Sequence, residues 1–185
     1  QVPFPTEGAV TAREFLTELN GVLKFHNGKQ LPDFTGKKVC VLGSGGTACD
    51  CASAAIRLGG NVTMACFEDF QSFPAPLDEI QKLLVEGCEF MTLVQVTSIH
   101  NGEVKFVPVE HKGDQYVKLN EELTRHFDYV IMAFGCTLKD SRKNIPGEVK
   151  VYCVEGYDNV FAGGDITNVA SVVEAVNDGK NAARL

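Results

Sequence analysis

The sequence contains no Cys-x-x-Cys pair, no cluster of Lys or Arg, no tryptophan and no long apolar run. The first absence speaks against a zinc ribbon, an iron-sulfur ligand set and a thioredoxin-like redox pair, all of which need closely spaced thiolates. The seven cysteines, Cys40, Cys49, Cys51, Cys66, Cys88, Cys136 and Cys153, sit instead among apolar or small neighbours. They read as reduced thiols that pack like small hydrophobes, as in a cytoplasmic protein. Cys49 and Cys51 diverge in direction if they share a helix, so no bridge joins them there. With a formal net charge of −7 and no basic run, nucleic acid is not an expected partner, because phosphate affinity rests on clustered cations. A bilayer crossing needs about 20 apolar residues, so no membrane span is expected. The opening residues, Gln1 to Pro5, lack the basic region and small-residue cleavage site of a targeting signal. The missing tryptophan decides nothing.

What is present is a globular composition. Hydrophobic residues make up 44% and charged residues 22% of the 185 positions, enough for a buried core in one domain, or in one domain and part of a second. Residues 1–36 mix Pro, Gly and polar side chains around one helical stretch, Thr11 to Leu19, with Phe15, Leu16 and Leu19 on one side; they read as a connector or arm. Val39 to Leu42 is a continuous apolar run bounded by glycine, suited to the centre of a parallel sheet. Small and apolar residues then recur at helical spacing, Ala48, Cys51, Ala52, Ala55 and Leu58, up to Gly59 and Gly60, and Val62 to Cys66 forms a second strand. Strand, glycine turn, helix, glycine stop and strand make a βαβ unit with a right-handed crossover.

Further on, Leu77 to Glu86 predicts a helix. Phe90 to Ile99 and Val104 to Glu110 predict antiparallel strands around His100, Asn101 and Gly102. Tyr129 to Phe134 is another buried strand, closing on Gly135. A charged break with Pro146 and Gly147 precedes strands at Val149 to Val154 and Asn159 to Ala162, and a last helix starts near Ser171. His26, His100, His111 and His126 fall in loops or at strand edges without a nucleophile beside them in sequence, and read as surface residues.

The chemistry concentrates in Gly43, Ser44, Gly45, Gly46, Thr47 and Ala48, a GxGxxA string between a buried strand and a helix. Gly43 permits the tight turn, Gly45 removes a side chain where a pyrophosphate must approach the backbone, and Ala48 lets helix and strand pack closely. The helix start adds unpaired N–H groups and a positive dipole end. Past the second strand come Phe67, Glu68 and Asp69. Two carboxylates beside a 2′-phosphate would be repulsive, which leans towards NADH, although both could equally form a solvated turn. Near the C-terminus, Val160 to Ile166 is a buried strand ending in Gly163, Gly164 and Asp165. Asp165 could accept bonds from the hydroxyls of a polar ligand or cap a helix.

Three strings together, Val41 to Ala48, Val130 to Gly135, and Phe161 to Asp165 with Ser171 to Lys180, resemble the family of dihydropyrimidine dehydrogenase and the glutamate synthase small subunit, in order and spacing from about residue 37 onward. Pro74-Ala75, Glu79 and Glu86 to Phe90 resemble the family's link between second strand and hairpin. Phe134, where Ile is more usual, points to the pyrimidine-reducing branch. The resemblance implies an α/β, Rossmann-like nucleotide-binding domain at 37–136, a parallel sheet with an antiparallel hairpin insertion, followed at 137–185 by the C-terminal half of an FAD-binding domain. It implies NAD(P)H held by the glycine turn, by Phe67 and Glu68, and by Ala133, Phe134 and Gly135. It also implies FAD touched by Gly164 and Asp165, with the backbone of Ser171, Val172 and Val173 near the flavin ring. The reaction implied is hydride transfer from nicotinamide to flavin, carried by the cofactors, with no side chain as acid or base and no metal.

The sequence departs from the family in several places. Members that use NADPH carry basic residues where this chain has Phe67 and Glu68. The first FAD half with its own glycine string, the iron-sulfur cysteines and the FMN-bearing domain have no counterpart here. The expectation is therefore a piece of a flavoprotein, or a subunit, that works with the remainder of the parent protein or with an electron-accepting partner. A non-catalytic dinucleotide-binding or docking module is the rival reading. A thioredoxin-reductase-like enzyme should show a Cys-x-x-Cys pair.

Overall fold

A computed structural model describes residues 3–26, 28–113, 115–135, 142–145, 151–154, 157, 159–164 and 171–184. The chain falls into two units, Gln1–Gly135 and Cys136–Leu185. The first runs through β1 (Thr6–Glu7), β2 (Val10–Thr11), α1 (Ala12–Leu23), β3 (Lys38–Leu42), α2 (Gly46–Arg57), β4 (Asn61–Ala65), a 3-10 turn at Phe70–Ser72 and α3 (Leu77–Val85). It continues with β5 (Glu89–Met91), β6 (Val94–His100), β7 (Glu103–Lys112), β8 (Gln115–Lys118), β9 (Leu123–His126) and β10 (Tyr129–Met132).

The apolar run of β3 explains the layering. Successive side chains of a strand point to opposite faces, and both faces of this one are covered. Val39 and Val41 pack with Phe15, Ala48, Ala52, Ala55, Ile80 and Leu83 from the helices. Cys40 and Leu42 pack with Val94, Val96, Ile99, Val104 and Phe106 from β6 and β7. The result is helices, parallel sheet and antiparallel sheet in layers, each fully buried Val, Leu or Phe contributing roughly 1.5–3 kcal/mol. The parallel sheet has the order β2-β10-β3-β4-β5, and every neighbouring pair in it is parallel. This is the expected Rossmann-like α/β arrangement.

Local chemistry fixes the element ends. Helix α2 stops in a Schellman motif, with Gly59 N–H donating to Ile56 O and Gly60 N–H to Ala55 O at 2.9 and 3.0 Å. Between β6 and β7 the paired residues His100 and Glu103 leave a two-residue loop. Asn101 and Gly102 both take positive φ, +47° and +88°, the requirement of a type I′ turn.

Two segments differ from the sequence reading. Residues 1–36, read as an arm, are woven into the first unit: β1 pairs parallel with β6 and β2 with β10, and Phe15 of α1 stacks on Phe34 at 6.2 Å. Phe90 to Ile99, read as one strand, is two. The chain breaks at Leu93, whose φ is +57°, so β5 joins the parallel sheet beside β4 while β6 starts the hairpin sheet. The hinge is held by Cys66 O and Glu68 O, which accept from Val94 N–H at 2.9 Å and Leu93 N–H at 3.3 Å.

The second unit contains β11 (Arg142–Ile145), β12 (Val151–Val154), β13 (Phe161–Ala162) and α4 (Val172–Ala182). The strands form an antiparallel sheet in the order β11-β12-β13. The charged stretch read as a break supplies β11, which pairs Ile145 with Val151; Pro146, Gly147 and Val149 lie outside the described residues. Among the described residues no helix is long and apolar enough to cross a membrane.

Candidate functional site

The chain leaves β3 at Leu42 and enters α2 through Gly43, Ser44 and Gly45. Gly43 sits at φ +131°, and a Cβ there would lie 2.5 Å from Ala133 O, so no other residue fits without displacing the end of β10. Its N–H donates to Ala65 O at 2.9 Å, and Ala133 N–H donates to Leu42 O at 2.8 Å. These bonds tie the turn between the carboxyl ends of β4 and β10. Gly45 is the N-cap of α2, with an ordinary φ of −86° and no side-chain cap. A Cβ on it would meet nothing within 4 Å. The helix therefore begins with bare backbone facing open space, and the first-turn N–H groups that an α-helix cannot satisfy internally carry its positive end there.

That space is a cavity of about 520 Å³. Gly43, Ser44, Gly45, Gly46 and Thr47 line one side, Phe67 and Glu68 follow from the end of β4, and Ala133, Phe134 and Gly135 close the β10 side. The sequence-predicted residues of the first unit are thus brought together, with one exception: Ala48 is fully buried among the helix-side core residues and serves packing alone. Asp69 also stays off the cavity. Its Oδ1 accepts from Ser72 N–H at 2.9 Å and Gln71 N–H at 3.0 Å, and bonding to the Ser72 side chain first, then to these amides, holds its carboxyl below the usual range.

Sequence reasoning missed Phe4, Pro74, Val94, Gln95, Val96 and Phe106, which also line the cavity. Phe4 meets Phe134 edge-on at 6.0 Å. Pro74 comes from the loop before α3, and the others arrive through non-local pairing of the N-terminal segment and the hairpin sheet, for which no local pattern in the sequence is a signal.

Electrostatically the site is simple. Among the described residues Glu68 is the one charged side chain on the cavity wall. Cys66 lines it too, but burial pushes its thiol up to about 12, so at neutral pH it is an S–H and not a nucleophile. Burial likewise raises Cys49 to about 11 and Cys51 and Cys88 to about 12. The histidines lie away from the cavity wall: His100, His111 and His126 face Glu7, Asp69 and Glu103 at 2.8, 3.4 and 3.7 Å. On the helix side, Glu79 Oε2 is buried without a partner, 3.5 Å from where a Cβ on Gly46 would stand, a position in which the dipole of α2 favours a carboxylate.

In the second unit, Gly164 N–H donates to Asp178 Oδ2 at 2.9 Å, and a Cβ on Gly163 would come within 2.8 Å of Asp178 Cβ. The strand end therefore lies directly against α4. Ser171 is the N-cap of that helix, accepting from Glu174 N–H, and Val172 and Val173 beyond it are about four-fifths exposed. Asp165 lies outside the described residues.

The family model described as pyridine nucleotide-disulphide oxidoreductase matches residues 2–179. The chain is 32% identical over 177 residues to the glutamate synthase [NADPH] small chain of Escherichia coli, covering 80% of this chain and 38% of that protein. It is 30% identical over 205 residues to the corresponding small chain of Azospirillum brasilense, covering 94% and 42%. The chain thus spans about two fifths of the length of these relatives. Among solved structures, Mycobacterium tuberculosis FprA in complex with NADPH matches with a TM-score of 0.73 at 13% identity, covering 100% of this chain and 59% of that one. Thioredoxin reductase of T. acidophilum matches at 0.64 and 21% identity, covering 99% and 60%. Both likenesses concern the fold. With the glycine turn at the carboxyl edge of a parallel sheet and a family model matched across nearly its whole length, the chain belongs to the pyridine nucleotide-disulphide oxidoreductase family.

Proposed function

We propose that this chain is the nicotinamide-dinucleotide-binding part of an FAD-dependent NAD(P)H oxidoreductase. The carrying observation is the uncapped start of α2, where the position a Gly45 Cβ would occupy is empty and opens on a cavity at the carboxyl edge of the sheet. Such a cradle fits a pyrophosphate: Gly45 admits it to the backbone, and the N–H groups of Gly46 and Thr47 hold it. Phe67 and Glu68 flank the adenosine end, and Ala133, Phe134 and Gly135 the nicotinamide end. Val94, Val96 and Phe106 give the same cavity an apolar wall. When bound, a reduced nicotinamide supplies a hydride from C4, which a flavin accepts at N5. No acid or base from the protein is required, and among the described residues only Glu68 of that kind lines the cavity.

In this reading residues 37–136 hold NAD(P)H and residues 137–185 are the returning half of an FAD domain, whose flavin site is incomplete within this chain. The exposed start of α4 at Ser171, Val172 and Val173 supports the flavin contact, while the Gly164 amide is engaged by Asp178. The remainder of a parent flavoprotein or an electron-accepting subunit is the partner. The relatives whose names say glutamate synthase support that branch, and Phe134 is the residue that favours the pyrimidine-reducing one. Reduced, buried cysteines at Cys40, Cys49, Cys51, Cys66 and Cys88 support a cytoplasmic setting.

Calorimetric titration of the chain tests the proposal. A nicotinamide dinucleotide should bind weakly and FAD poorly or not at all. Tight FAD uptake would refute the incomplete flavin site, and failure of both NADH and NADPH to bind would refute the dinucleotide site.

A further inference from the structure

The cavity has aromatic side chains on both flanks of the glycine turn. Beyond β4 stands Phe67, braced edge-on by Tyr116 at 5.3 Å. Beyond β10 stand two rings on the cavity wall, Phe134 and Phe4, with centroids 6.0 Å apart and planes at 88°. Phe134 follows its strand directly, whereas Phe4 comes from the opposite end of the first unit's sequence.

Phe4 is held there from two sides. Pro5 narrows the backbone choices of the residue before it, and Pro5 O accepts from Ile99 N–H at 2.8 Å. Thr6 and Glu7 then pair with Ile99 and His100 of β6, and Val10 and Thr11 with Ile131 and Met132 of β10. The segment is pinned to both sheets, and Phe4 packs against the core of the hairpin sheet while it lines the cavity.

Two rings at right angles form a corner. A flat ligand ring laid face-on against one meets the other edge-on, and these are the two arrangements that aromatic rings favour. Phe134 is 45% exposed, which leaves ring surface uncovered for such a contact. Glu68, the one charged side chain among the described lining residues, follows β4 on the other flank.

Resting on the dinucleotide reading above, we infer that Phe4 is a binding residue for the nicotinamide ring, which it holds together with Phe134. The N-terminal segment thereby positions the reacting ring, while the glycine turn and the end of β4 hold the rest of the dinucleotide.

The full chain is titrated calorimetrically with NADH and with ADP-ribose, which keeps the adenosine, the pyrophosphate and the second ribose but lacks the nicotinamide. Wild type should bind NADH more tightly than ADP-ribose. Phe4→Leu keeps an apolar side chain against the hairpin core and removes the ring; it should weaken NADH by about fivefold and leave ADP-ribose unchanged. Phe4→Ala should do the same, with the circular dichroism spectrum reporting that each variant is folded. Phe67→Ala, on the adenosine flank, should weaken both ligands alike. In folded Phe4 variants, an unchanged NADH affinity, or equal losses of NADH and ADP-ribose, would overturn the inference while leaving the dinucleotide site standing, as would equal binding of the two ligands by wild type. If wild type binds neither, the dinucleotide reading falls and this inference with it.

Discussion

Gly43 and Gly45 stand two residues apart under different constraints. At Gly43 a methyl group would face Ala133 O at 2.5 Å from a backbone at φ +131°. Gly43→Ala should therefore cost about 3 kcal/mol of stability, read as a lower urea midpoint; an unchanged midpoint would contradict the close approach. Gly45 has neither problem, so its glycine serves the open space before α2 and not the fold. This division was legible in the sequence because the GxGxxA string assigns a task to each position. The division between Glu68 and Asp69 was not. Both are carboxylates at a strand end, and only the capping bonds to Gln71 and Ser72 show which one is spent on local structure. Phe4, Val94 and Phe106 were illegible as site residues for another reason: they reach the cavity through tertiary packing.

At the scale of elements, the βαβ unit of β3, α2 and β4 could be read directly, since apolar runs, helical spacing and glycine stops all agree there. The short pieces could not. Strands β1 and β2 have two residues each, too few to show alternation, and β9 is exposed at every position. The break at Leu93 was hidden because Phe90 to Ile99 alternates acceptably as one strand. Helix α1 was read over Thr11 to Leu19 from the spacing of Phe15, Leu16 and Leu19, but it runs to Leu23. Its start is fixed by a capping box, in which Thr11 Oγ1 accepts from Glu14 N–H at 3.2 Å while Glu14 Oε2 accepts from Thr11 N–H at 2.8 Å. Thr11→Ala should destabilise the first unit by about 1 kcal/mol, measured by urea denaturation. No change would mean that α1 is held by the packing of Phe15 alone.

For the whole molecule, the buried thiols set the alkaline limit. Cys49, Cys51, Cys66 and Cys88 are pushed up from 9.0 to about 11, 12, 12 and 12 by burial. Stability from these groups is fully present below 9.0, where the thiols of the unfolded chain are neutral as well. It is lost as pH rises from 9 towards 12, because the unfolded chain releases protons that the folded one keeps. Urea midpoints should hold steady from pH 7 to about 9 and fall above it, and a flat profile to pH 11 would contradict the burial. The proposed seat of the pyrophosphate is the uncapped start of α2, where Gly45 opens on the cavity of the first unit. The direct test of that place is calorimetric titration of NADH into wild type and Gly45→Val. Valine is compatible with φ −86° and has room to stand, so the variant should fold, with an unaltered circular dichroism spectrum, and bind no measurable NADH. A folded Gly45→Val chain that binds NADH as wild type does would contradict the account.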